Sequence, residues 1–157
     1  MISLFFRNLF FTILQPGLVA GLFPYLLDSD QIRLHLDVSF GTGQYAGLIL
    51  FIVGWCLILY CIYRFAVEGQ GTLSPVDQTK NLVKKGIYRY SRNPMYIGVI
   101  IALIGMALFA YSSILLGYSI LIFTMFNFWV IYVEEPRLRR DFGAQYMDYS
   151  KSVRRWL

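Results

Sequence analysis

"RNPMYIGVIIALIGMALFAYSSILLGYSILIFTMFNFWVIYVEEP", residues 92–136, holds two apolar runs with almost nothing between them. The first, Met95 to Tyr111, is short, and the second runs from Ser113 to Val133. Tyr111-Ser112-Ser113 leaves almost no loop, so the two runs form a tight helical hairpin. A hairpin returns the chain to the side it left, which brings Arg92-Asn93-Pro94-Met95-Tyr96 and Glu134-Glu135-Pro136 to one face. Pro94 suits the first turn of a helix, where its missing N–H costs little. Pro136 is expected to push Glu135 out of helical geometry and to end the second run there.

Working outward, two more apolar stretches appear. One runs from about Leu9 to Leu27, with Pro16 and Pro24 as expected kinks, and the other from about Tyr45 to Val67. A bilayer core about 30 Å thick is crossed by roughly 20 apolar residues in a helix. The expected fold is therefore all-α and integral to a membrane, with about four transmembrane helices in a single domain over residues 1–157. A signal peptide is the rival reading of the first stretch, but no small-residue cleavage site stands out after Leu27. Composition agrees with membrane residence: the chain is 57% hydrophobic and 18% aromatic, with mean hydropathy +0.56. Cys56 and Cys61, five apart, match no disulfide framework or zinc spacing. With one histidine, His35, read as a loop residue, no metal site is expected.

The net charge of +5 is clustered between the apolar runs, which favours a membrane face over nucleic acid as the partner. Residues 28–44 carry Asp28, Asp30 and Asp37 against Arg33, a net of −2. Residues 67–93 carry a net of +3, and residues 134–157 a net of +2. The positive-inside rule then places both ends of the chain and the 67–93 loop in the cytoplasm. Beyond Pro136, Leu138, Phe142, Tyr146, Tyr149, Val153 and Trp156 recur at steps of three and four. They mark an amphipathic helix, expected to lie along the inner membrane surface and to bend at Gly143. Gly98, Ala102 and Gly105 share one face of the third run, a pattern for close helix packing rather than chemistry.

The Glu pair is the least expected feature of the chain. Ionisable groups at the edge of a span are costly unless solvated or paired. Simple termination among the lipid headgroups is one reading, and a polar pocket shared with the basic loop is the other. The stretch "LVKKGIYRYSRNPMYIG", followed after one hairpin by "EEPRLRRDFGAQYMDY", resembles the membrane methyltransferase family. That family includes isoprenylcysteine carboxyl methyltransferases and phosphatidylethanolamine N-methyltransferases. The resemblance covers roughly residues 68–150, which it marks as the cofactor-binding half.

The resemblance implies S-adenosylmethionine as methyl donor. Carried over by position, the cofactor contacts are Lys80, Asn81, Leu82 and Val83, then Tyr88, then Asn93, Pro94, Met95 and Tyr96, and Glu134. Glu135 completes the acidic pair and is the candidate base if the acceptor is an amine. Two departures bear on the acceptor. Asn93 stands where isoprenylcysteine enzymes have histidine, and Asn-Pro-Met-Tyr is similar to the phospholipid methyltransferases. Val130 stands where the family has a substrate-facing arginine. Both favour a lipophilic amine or thiol, drawn from the membrane lipids, over a prenylcysteine carboxylate. Two other readings stand beside this one: an NADPH-dependent reductase of the sterol type, whose related motif has an acid where Val99 stands, and a non-catalytic membrane protein that keeps the pocket.

Overall fold

The computed structural model describes residues 13–36, 39–69 and 81–157. Every regular element among them is helical. Helix α1 runs over Ile13–Leu22 in widened turns and continues as Phe23–Leu27. The expected start at Leu9 lies outside the described residues. The helix breaks at Asp28 (φ −148°, ψ 50°), and the chain stays helical at Leu22, next to the Phe23-Pro24 step. Helix α2, Ser29–Leu36, contains His35, which corrects the loop expectation. The helix forms because Ile32 finds a buried seat among Ala107, Ala110 and Leu115.

Helix α3, Thr42–Arg64, continues in wider turns through Phe65–Gly69. Gln44 Oε1 accepts the free N–H of Gly41 at 2.7 Å, which satisfies one open backbone donor at its start. At its other end Arg64 pairs with Glu68 at 2.5 Å. Helix α4 is Pro94–Phe109 and helix α5 is Ser113–Trp129. Their connection is as tight as the sequence predicts. Tyr111 takes a positive φ of 47°, and the Ser112 side chain caps α5 by accepting the N–H of Leu115 at 3.1 Å.

Helices α3 and α4 are packed backbone to backbone. A Cβ on Gly54 would lie 2.6 Å from Gly98 O, and one on Gly47 would lie 2.7 Å from Gly105 O. The small residues at Gly98, Ala102 and Gly105 are thus contact residues, as their spacing predicts. Ile58, Val99, Ala102 and Leu103 form the centre of the buried core with Ala20 of α1 and Ile122 of α5.

Helix α5 passes through widened turns at Val130–Glu134 into helix α6, Glu135–Ser152. The expectation that Pro136 ends the helix is not met. Glu134 (φ −75°, ψ −50°) and Glu135 (φ −62°, ψ −43°) are both helical. The N–H of Glu135 reaches back five residues to Val130 O. The extra residue in that turn makes room for a proline ring that would otherwise strike the preceding turn.

The bend at Gly143 is present: its φ of 50° and ψ of −125° are not helical. Beyond it, two aromatic residues of the stripe pack on protein. Tyr146 and Tyr149 are 1% and 7% exposed, and the Tyr149 hydroxyl donates to Tyr88 O at 2.6 Å. Among the described residues the partners of both hydroxyls lie on the segment before α4, in keeping with the direction of the turn.

Two of these helices, α3 and the continuous Ser113–Ser152 path, are long and apolar enough to cross a membrane. Pro16–Leu27 and Pro94–Phe109 are shorter apolar helices.

Candidate active site

The basic loop reaches α4 through one turn of 3-10 helix, Gly86–Arg89. This turn seats Tyr88 inward, where it is 4% exposed. Val83 and Tyr88 form a buried cluster with Cys61 of α3, and Met95 and Phe65 pack against it. The Tyr88 hydroxyl is buried and has no hydrogen-bond partner among the described residues. The neighbouring Cys61 thiol is at best a weak acceptor. Burial pushes the Tyr88 pKa well up, and Glu134 is close enough for its charge to add to that shift. Tyr88 therefore stays neutral and keeps a proton to donate.

Tyr96 and Glu134 meet across the mouth of the hairpin. The Tyr96 hydroxyl donates to Glu134 Oε2 at 2.8 Å, and its ring lies 4.5 Å from that of Phe126. Burial raises the carboxyl pKa of Glu134 above its ordinary value, Tyr96 and Arg137 oppose the rise, and Glu135 adds to it. Arg137 has a buried Nε with no partner among the described residues. Glu134 Oε1, Tyr88 Oη and Arg137 Nε thus offer an acceptor and two donors beside the apolar wall of Val83 and Met95.

Glu135 has different partners. Arg155 grips it with two bonds, Nε to Oε1 at 2.7 Å and a terminal nitrogen to Oε2 at 3.2 Å. Arg92 stands 3.1 Å from Oε1 and Arg139 3.6 Å from Oε2. Burial opposes its charge, yet the Arg155 bond and the charges of Arg92, Arg155 and Arg139 prevail and hold the carboxyl below its usual value. A carboxylate with both oxygens committed to cations and a lowered pKa is a poor proton acceptor. The expected base at this position is therefore surrounded by three arginines.

The remaining expected contacts divide. Pro94 opens α4 and is buried. The side-chain nitrogen of Asn93 donates one N–H to Arg155 O at 3.0 Å, which leaves its second N–H and Oδ1. Leu82 is half-buried. Asn81 is exposed, with its amide 3.4 Å from Glu68 O. Lys80 lies outside the described residues. Val130 is 1% exposed. The sequence did not single out Ser91, Tyr146 or Arg155 as site residues. Only the aromatic stripe, which contains Tyr146, hinted that the tail belongs here.

Residues 43–145 match the family described as phospholipid methyltransferase. The chain belongs to the phospholipid methyltransferase family. No curated protein and no solved structure matched it. The match begins at residue 43, well before the motif-bearing half read from the sequence, and so includes α3. For a phospholipid methyltransferase that extent makes structural sense, because α3 supplies Cys61 to the wall behind Tyr88 and the glycine face on which α4 rests.

Proposed function

We propose that this phospholipid methyltransferase family member transfers the methyl group of S-adenosylmethionine to the amine of a membrane phospholipid. The observation that carries the proposal is the Tyr96–Glu134 pair beside the unpartnered, buried Tyr88 hydroxyl. The cofactor has a cationic amino-acid end, ribose hydroxyls and a flat base. It supplies an electrophilic methyl on a sulfonium. Glu134 suits the cation or the hydroxyls, Tyr88 and Arg137 offer donors, and Val83 and Met95 offer an apolar surface. In this proposal Leu82, Asn93, Pro94 and Tyr96 complete the cofactor contacts, with the exposed Asn81 and, by the family resemblance alone, Lys80. The protein contributes orientation and a partly dry setting.

The acceptor follows from charge. A carboxylate acceptor in a partly dry pocket needs a paired cation. Val130 supplies none, Arg92 is held by Glu135 and the Tyr146 hydroxyl at 2.9 Å, and the charge of Arg137 already acts on Glu134. An amine acceptor needs no such partner and gains from the nearby Glu134.

The proposal extends to the whole chain as one domain, with the cofactor held mainly by residues 68–150. It places four crossings in the membrane, the shorter helices included, with both ends of the chain and the loop before α4 in the cytoplasm. The lipid would then enter from the bilayer and the polar cofactor from the cytoplasm.

The test is calorimetry on purified protein with S-adenosylhomocysteine and NADPH added separately, followed by methyl transfer from labelled cofactor. Phosphatidylethanolamine, a lipophilic thiol and a prenylcysteine analogue serve as acceptors. S-adenosylhomocysteine should bind, and phosphatidylethanolamine should be methylated. Binding of NADPH alone would overturn the reaction class. Methylation of only the prenylcysteine analogue, with a base-labile ester as product, would overturn the acceptor.

A further inference from the structure

The two halves of the candidate site come from opposite ends of the α4–α5 hairpin. Something must hold those ends in register. The segment after α6, Val153–Leu157, crosses both. Arg92 donates its backbone N–H to Arg154 O at 2.9 Å. Arg155 O accepts from Ser91 Oγ at 3.3 Å and from the Asn93 amide at 3.0 Å. The Arg155 guanidinium takes both oxygens of Glu135. Trp156 Nε1 donates to Asn127 Oδ1 on α5 at 3.1 Å, and its ring lies 5.3 Å from that of Phe123. Three successive residues of this strap thus bind the turn before α4, the start of α6 and the body of α5.

We infer that Glu135 and the strap Arg154–Trp156 form a clasp that positions Glu134 against Tyr96. This makes Glu135 and Arg155 positioning residues of the site and not proton-transfer groups. The inference rests on the proposed methyltransferase reading for its kinetic consequences, but the clasp itself stands on geometry. Glu135 is the residue after Glu134, and Asn93 opens the turn that carries Tyr96. The strap holds both neighbours. The Glu135 side chain is 5% exposed, so loss of a cation leaves a buried charge under-compensated, a disruptive change. The two-pronged grip also fixes orientation, which a single charge does less well.

The test uses the full chain in lipid nanodiscs with Arg155→Ala, Arg155→Lys and Glu135→Gln. The kinetic arm measures KM for S-adenosylmethionine, KM for phosphatidylethanolamine and kcat. The structural arm measures hydrogen exchange over residues 91–97 without ligand. Arg155→Ala should raise the KM for S-adenosylmethionine about tenfold or more, a size expected for a broken buried charge pair. The KM for the lipid should stay unchanged, and exchange over 91–97 should accelerate. Arg155→Lys should restore only part of both losses, because an ammonium keeps the charge but not the two-pronged bond. Unchanged exchange in Arg155→Ala would overturn the clasp. So would loss of activity in proportion to folded protein with both KM values intact, which signals general stability alone. So would a Glu135→Gln protein with lost kcat but normal cofactor KM and exchange, since that is the behaviour of a proton acceptor. A wild-type protein that binds no S-adenosylhomocysteine would sink the methyltransferase reading, while the exchange arm would still decide the clasp.

Discussion

Glu134 and Glu135 are adjacent, and their surroundings shift their pKa values in opposite directions. Glu134 is lifted by burial, whereas Glu135 is held down by the arginines around it. The lifted group has a consequence for ligand binding. Glu134 is protonated at low pH and ionised above its raised pKa, and only the ionised form attracts a cationic ligand. Affinity for S-adenosylmethionine should therefore fall on acidification, beginning above the ordinary carboxyl range. Glu134→Gln should weaken binding by about tenfold or more, since a hydrogen bond to a charged group contributes roughly 1.5–3 kcal/mol. The variant should also lose that pH dependence. Calorimetry over a pH series checks both points, and a Gln variant with wild-type affinity would remove Glu134 from the cofactor site.

The helices make different demands on their glycines. A Cβ on Gly54 would meet Ala102 N at 2.5 Å and Gly98 O at 2.6 Å, backbone atoms that cannot step aside. Gly54→Val should force α3 and α4 apart and cost about 1–3 kcal/mol, the usual range for overpacking. Gly117 on α5 has nothing within 4 Å of its would-be Cβ, so Gly117→Ala should be nearly neutral. Thermal unfolding in detergent compares the two. At Gly143 space is open, and conformation is the constraint: φ 50° with ψ −125° is backbone that a side chain resists. Gly143→Ala should cost about 1–3 kcal/mol and loosen Tyr146 and Tyr149 from the loop. Faster hydrogen exchange over residues 144–152 would show it, and unchanged exchange would mean that the bend tolerates a side chain.

At the scale of the whole molecule, the proposed orientation puts the candidate site at the cytoplasmic face. Single-cysteine variants at Ser39 and Lys85, both exposed outside the helices, should react oppositely with an impermeant thiol reagent. Cys56 is exposed in α3, so the background is a Cys56→Ala, Cys61→Ala protein that still folds. Ser39→Cys should label from outside, and Lys85→Cys only after the membrane is opened. The reverse pattern would invert the topology. By itself the sequence determined that the chain is helical, that residues 94–133 form a hairpin and that it belongs to a methyltransferase family. These follow from local patterns: unbroken apolar runs, a three-residue connection too short for any other return, and motifs in fixed order. The close face at Gly98, Ala102 and Gly105 was legible for the same reason. Only the tertiary structure decided what Pro136, the aromatic stripe and Glu135 do. The helix crosses Pro136 because a widened turn absorbs the ring, and Tyr146 and Tyr149 of the stripe pack inward, with hydroxyl partners on a loop 54 to 61 residues away. Glu135 is engaged by Arg92 and Arg155, cations that no local pattern places beside it.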